Sequence, residues 1–135
     1  MEALTRGSDG EQSVTIGYRA GYHGIGNYSV FVGADAGYNS SGATNTVAIG
    51  RQAIGAAATS GDNNTAIGYA AGYNMTTGND NIAIGSKAFF NNTTGSSNII
   101  IGYQAGYDLT GGEQNVVIGH DAGQNLTTNS NGVIV

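Results

Sequence analysis

The chain has 135 residues, enough for one domain with a sizeable core, and contains 24 Gly but no Pro, Cys or Trp. The lack of Cys excludes a disulfide framework, a thiolate metal site and a Cys nucleophile, and leaves the redox compartment open. The formal net charge is −5, with Arg6, Arg19, Arg51 and Lys87 as the only cations. Phosphate neutralisation needs clustered Lys and Arg, so a nucleic-acid partner is not expected.

No apolar run approaches the roughly 20 residues of a membrane span, and membrane insertion is not expected. Residues 1–6 lack a signal-peptide apolar region, which predicts a chain outside the general secretory route. Residues 1–12 fall outside the repeat described next. They read as an N-terminal cap or as an attachment arm to another protein.

From residue 13 to 135 one pattern recurs. Its strand signatures are Ser13-Val14-Thr15-Ile16-Gly17, Ser29-Val30-Phe31-Val32-Gly33, Thr46-Val47-Ala48-Ile49-Gly50 and Asn64-Thr65-Ala66-Ile67-Gly68. Asn81-Ile82-Ala83-Ile84-Gly85, Asn98-Ile99-Ile100-Ile101-Gly102, Asn115-Val116-Val117-Ile118-Gly119 and Asn131-Gly132-Val133-Ile134-Val135 complete the series. The glycines at 17, 33, 50, 68, 85, 102 and 119 are 16, 17, 18, 17, 17 and 17 residues apart. The third residue after each is Ala, and the fifth is commonly aromatic: Tyr22, Tyr38, Tyr73, Phe90 and Tyr107.

Val/Ile runs bounded by Gly, Asn, Ser and Thr read as short strands, and none follows helical spacing. One unit per coil predicts an all-β fold: a parallel β-roll or β-helix solenoid of about eight short coils with a 17-residue repeat. At ~4.8 Å per coil the body is roughly 35–40 Å long. The last residue of each strand (Ile16, Val32, Ile49, Ile67, Ile84, Ile101, Ile118, Ile134) and the residue two before it are expected inside. Strand side chains alternate, so Thr15, Phe31, Ala48, Ala66, Ala83, Ile100, Val117 and Val133 are expected outside. Strands apolar on both faces are covered on both faces. This outer column is therefore expected to be the interface of a homotrimer.

The string Asn64-Thr65-Ala66-Ile67-Gly68 and its copy at 81–85 are similar to the head repeats of YadA-type trimeric autotransporter adhesins. The longer string over 64–74 also resembles repeats of tailed-phage fibre and virion-surface proteins. Both likenesses imply a stacked β trimer. The unit here is longer than the adhesin repeat, and no signal peptide, stalk or anchor of the adhesin kind is expected. The virion likeness therefore implies a non-enzymatic structural protein: a knob decorating or cementing a capsid, or a short tail-fibre or spike piece. Its partners would be sister chains, capsid-shell or tail proteins and a host surface glycan, and its place the virion surface. The alternatives are an adhesin head module on a bacterial cell surface and an ice- or surface-binding repeat.

No catalytic or metal-binding set is expected, and no cofactor. His23 and His120 lie six units apart, and four units separate Asp35 from Asp121, too far for shared chemistry within one chain. Asp does not recur at the fixed turn position that calcium-binding β-helix repeats need. Tyr22, Tyr38, Tyr73 and Tyr107 form a stacked column, the candidate for glycan or partner contact.

Overall fold

Three residues of each coil are extended, and they pair with the same three residues one coil further on. The computed structural model describes residues 12–56 and 58–135; the expected cap or arm over 1–12 lies almost wholly outside the described residues. The strands are β1 (Val14–Ile16), β2 (Val30–Val32), β3 (Val47–Ile49), β4 (Thr65–Ile67), β5 (Ile82–Ile84), β6 (Ile99–Ile101), β7 (Val116–Ile118) and β8 (Val133–Ile134). They form one eight-stranded parallel sheet in chain order. The chain is thus a β-solenoid with a repeat of about 17 residues. Backbone bonds continue around the turns, as in Gly21 N to Ala36 O at 2.9 Å and Thr76 N to Thr93 O at 3.1 Å.

The corners explain the glycines. Gly33, just after β2, has φ +133°, and a Cβ there would lie 2.6 Å from the carbonyl oxygen of Gly50. The second residue after each strand glycine also has positive φ: Arg19, Asp35, Gln52, Ala70, Lys87, Gln104 and Asp121, from 51° to 61°. The short polar Asp35 and Asp121 tolerate this conformation best, whereas the others carry the usual left-handed penalty of about 1–2 kcal/mol.

The strand faces are the reverse of the expectation from alternation. The middle residues Phe31, Ala48, Ala66, Ala83, Ile100 and Val117 are wholly buried inside the coil, and Thr15 nearly so. The outward residues are the flanking ones: Val14 is 47% and Ile16 51% exposed, while Ile49, Ile99 and Ile118 are also exposed. The physical reason lies just outside each strand. The Asn before a strand and the Gly after it share the parity of the middle residue, and both belong inside. Asn64, Asn81, Asn98 and Asn115 are buried, and the glycines stack carbonyl over α-carbon.

The last unit is also shifted by one residue. Val133 pairs with Val116 and Ile134 with Val117. Val133 is therefore an outward residue, 74% exposed, and Ile134 packs against the core. Gly132, not Asn131, ends the asparagine column, its N–H donating to Asn115 Oδ1 at 2.9 Å.

That column is a hydrogen-bonded ladder. Asn81 Nδ2 donates to Asn64 Oδ1 at 3.1 Å and to Gly95 O at 2.8 Å, and Asn81 N donates to the same Asn64 oxygen at 3.0 Å. Asn98 and Asn115 repeat the arrangement. Lower in the stack the position is held by serine, with Ser29 N donating to Ser13 Oγ at 3.0 Å.

Candidate functional site

Two surfaces carry the candidate function. The first is the outer face of the sheet. Of the sixteen positions flanking the buried middle residues, only Thr65 is not Val or Ile, and none is charged. The expected seam residues Thr15, Phe31, Ala48, Ala66, Ala83, Ile100 and Val117 cannot serve it, because they face the lumen. Val133 alone of that set lies on the outer face. The apolar outer face nevertheless exists, made from the residues expected inside.

Beside it stands a short series of exposed rings one residue past three of the strand glycines, Gly17, Gly68 and Gly102: Tyr18, Tyr69 and Tyr103. Arg51 sits 5.7 Å from the Tyr69 ring centroid, and His120 stacks on Tyr103 at 4.9 Å.

The second surface is the aromatic column five residues past the strand glycines. Tyr22 and Tyr38 stack at 5.4 Å with an interplanar angle of 4°. Tyr73, Phe90 and Tyr107 stack at 5.0 Å per step. Such spacing follows directly from the coil rise, and each stacked pair adds modestly to stability. His23 packs edge-on against both Tyr22 and Tyr38, at 4.9 Å from each.

Asp35 does not meet Asp121. It accepts a hydrogen bond from Arg19 Nε at 2.8 Å, one coil away at the same position of the unit. This bond raises the Arg19 guanidinium above its ordinary value. Asp121 instead meets its neighbour His120, 2.9 Å between Oδ2 and Nδ1, on an exposed corner. The arginine also lies 4.9 Å from the Tyr38 ring centroid. Among the described residues no group of three or more His, Cys, Asp or Glu could hold a metal ion, and no helix is long and apolar enough to cross a membrane.

The interruption between the two aromatic stacks was not read from the sequence, although the signal was there. Five residues past Gly50 stands Gly55 where the neighbouring units have Tyr38 and Tyr73. A cleft of about 320 Å³ opens at this level. No protein-family model, curated protein or solved structure matches the chain.

Proposed function

We propose that the protein is a non-enzymatic structural subunit of a tailed-phage virion surface. It would work as a homotrimer whose rigid knob decorates or cements the capsid, or forms a short piece of tail fibre or spike. The observation that carries the assembly is the uncharged Val/Ile face of the eight-stranded sheet. A parallel sheet lined inside by its own coil and apolar outside needs a cover, and three copies of this face about an axis supply one. The interface is then the flanking columns, with the exposed Ile49, Ile99 and Ile118 among them. The virion assignment draws on the likeness of the 64–74 string to virion-surface repeats. Continuous backbone ladders suit a particle for which slow unfolding matters more than equilibrium stability.

Light scattering after size exclusion tests the assembly: the expected mass is three times the 13.6 kDa of one chain. Co-sedimentation with purified capsids of a tailed phage tests the role, with saturable binding expected. A species of single-chain mass at micromolar concentration overturns the trimer.

A second reading, an adhesin head module contacting a surface glycan, is favoured by the aromatic column, whose outermost ring, Tyr22, is 57% exposed.

A further inference from the structure

The aromatic column is interrupted once, and the interruption has the dimensions of a ring. Backbone pairing fixes the register there. Ala56 N donates to Tyr73 O at 3.1 Å, as His23 N does to Tyr38 O at 2.9 Å and Asn74 N to Phe90 O at 3.0 Å. Gly55 therefore occupies the place of a column aromatic, one coil from Tyr38 and one from Tyr73. The two rings stand two coils apart, roughly 10 Å, and the cleft between them is lined by Tyr38, Tyr73, Gly55, Ala56, Asn39 and Gln52. A ring seated at the level of Gly55 would keep to each tyrosine the spacing that Phe90 keeps to Tyr73 and Tyr107, 5.0 Å on both sides.

We propose that this cleft binds a single neutral pyranose unit of a glycan, sandwiched between the rings of Tyr38 and Tyr73. The inference rests on the glycan-contact reading of the column and is independent of the virion assignment. The volume, about 320 Å³, is at the small end of ligand pockets, ~300–1,000 Å³, which suits one sugar ring and not an oligosaccharide.

The walls select the chemistry. Two aromatic faces accept the C–H faces of a sugar, while the edge carries the Asn39 and Gln52 amides and the Arg19–Asp35 pair, donors and acceptors matched to ring hydroxyls. That pair is bonded to itself at 2.8 Å and has no net charge, so the site has nothing to favour an anionic sugar. An aromatic side chain would fill the slot equally well but would cover these polar groups without pairing them. Asn39 is already oriented, its Nδ2 donating to Ala56 O at 2.9 Å across the mouth.

The test uses the full chain in its native assembly and the methyl glycosides of glucose, galactose, mannose and N-acetylglucosamine, read by saturation-transfer NMR and titration. One of them is expected to bind with a dissociation constant of ~1 mM. Tyr38→Ala and Tyr73→Ala should each weaken binding at least tenfold. Ala56→Phe, which crowds the cleft with a ring from a lining residue one position past Gly55 and leaves both tyrosines in place, should abolish it, and Tyr107→Ala should leave it unchanged. Far-UV circular dichroism and assembly mass establish that each variant is folded.

Binding that survives Ala56→Phe in folded protein, or that Tyr107→Ala removes as fully, overturns the slot while leaving the column as a glycan contact. Binding of indole or phenol in preference to every glycoside overturns the sugar assignment. Silence from all four glycosides up to 50 mM overturns both the slot and the glycan reading of the column.

Discussion

The ring of Phe31 fills the space that a side chain at Gly37 would need: a Cβ there would lie 2.7 Å from the ring. This pairing of one large and one absent side chain across the lumen recurs along the stack. Ile100 faces Gly106 and Val117 faces Gly123 in the same way, with Cβ distances of 3.2 and 3.1 Å. Where the middle strand residue shrinks to Ala48 or Ala83, the corner six residues on becomes Ile54 or Phe89, both wholly buried. These two take φ of 48° and 55°, a conformation costly for a β-branched or bulky residue. The burial they gain inside the coil offsets that strain.

Phe89→Gly should therefore cost about 1–4 kcal/mol: the loss of a buried ring, ~3–5 kcal/mol, less about 1–2 kcal/mol of relieved left-handed strain. Ala83→Ile alone should overpack and cost about 1–3 kcal/mol. The double variant copies the Ile100–Gly106 coil and should recover more than half of the Phe89→Gly loss. Urea unfolding at one fixed protein concentration measures all three. Strict additivity would mean that the two positions do not share a space.

The asparagine ladder makes a sharper demand. Asn81 Oδ1 accepts from Asn98 N and Asn98 Nδ2, both at 3.0 Å, in a buried position. Asn81→Ala strands the Asn98 N–H and the Gly95 carbonyl, at about 1–3 kcal/mol for each group left unpaired, and takes one of two bonds from Asn64 Oδ1 and from Asn98 Nδ2. A loss of at least ~3 kcal/mol is expected. Asn81→Ser should cost less, since Ser13 Oγ already accepts from the next coil at that position. Equal losses for Ala and Ser would show that side-chain volume, not the ladder, sets the cost.

How far could this have been read in the sequence? The strand glycines at 33, 50, 68 and 85 announce a stacked unit, and the parallel in-register sheet follows. The direction in which each strand faces does not follow. Ile67 and Ala66 are both apolar, so alternation marks two faces without saying which is the lumen. The deciding residues lie beside the strand: Asn64 and Gly68 share the side of Ala66, and it is their place inside the coil that turns Ala66 inward. The break in the aromatic column was legible as Gly55 in place of Tyr. The Arg19–Asp35 pair becomes visible only once both are placed at the same corner of successive coils.

Asn92 interrupts an apolar column. Its neighbours above and below are Met75 and Leu109, all three are buried, and Asn92 Oδ1 has no hydrogen-bond partner among the described residues. Its Nδ2 reaches only Thr110 O, at 3.3 Å. Leu109 already packs beside Gly112 as a leucine at 92 would beside Gly95. Asn92→Leu should raise stability by about 1–2 kcal/mol through removal of an unpaired buried acceptor, visible as a higher urea midpoint with unchanged slope. A lower midpoint would mean that the amide carries a bond worth more than the unpaired oxygen costs.

Asp62 should give the acid limb of stability a residue-specific component. Its Oδ1 accepts from Thr44 N and Thr44 Oγ1, both at 2.7 Å, and the backbone bond, then the hydroxyl bond, hold the carboxyl below its ordinary value. A carboxyl lowered on folding stabilises above its unfolded pKa, ~3.9, and loses that contribution as pH falls through the folded value. Asp62→Asn should therefore be less stable than the parent at pH 7, and the gap should close as pH falls below about 4. Melting curves across that range measure it. A gap that persists unchanged at pH 2 would assign the effect to packing.

The outer face of the sheet separates a covered seam from an ordinary surface. Ile99 is 38% exposed in one chain, in the sixth of eight strands, and its neighbours across the ladder are Ile82 and Val116. If sister chains cover this face, Ile99→Asp places an unpaired charge in a dry interface, which is far costlier than any exposed substitution. The assembly should then fall to the 13.6 kDa species in light scattering, with far-UV circular dichroism of the coil retained. On a free surface the same change stays within about ±0.5 kcal/mol and alters no mass. Ala66→Asp is the matched control: it points into the lumen, where Ala66 is wholly buried, and should unfold the coil itself. Dissociation by Ile99→Asp with unfolding by Ala66→Asp would locate the seam on the flanking columns, and a trimer indifferent to Ile99→Asp would move it off the sheet.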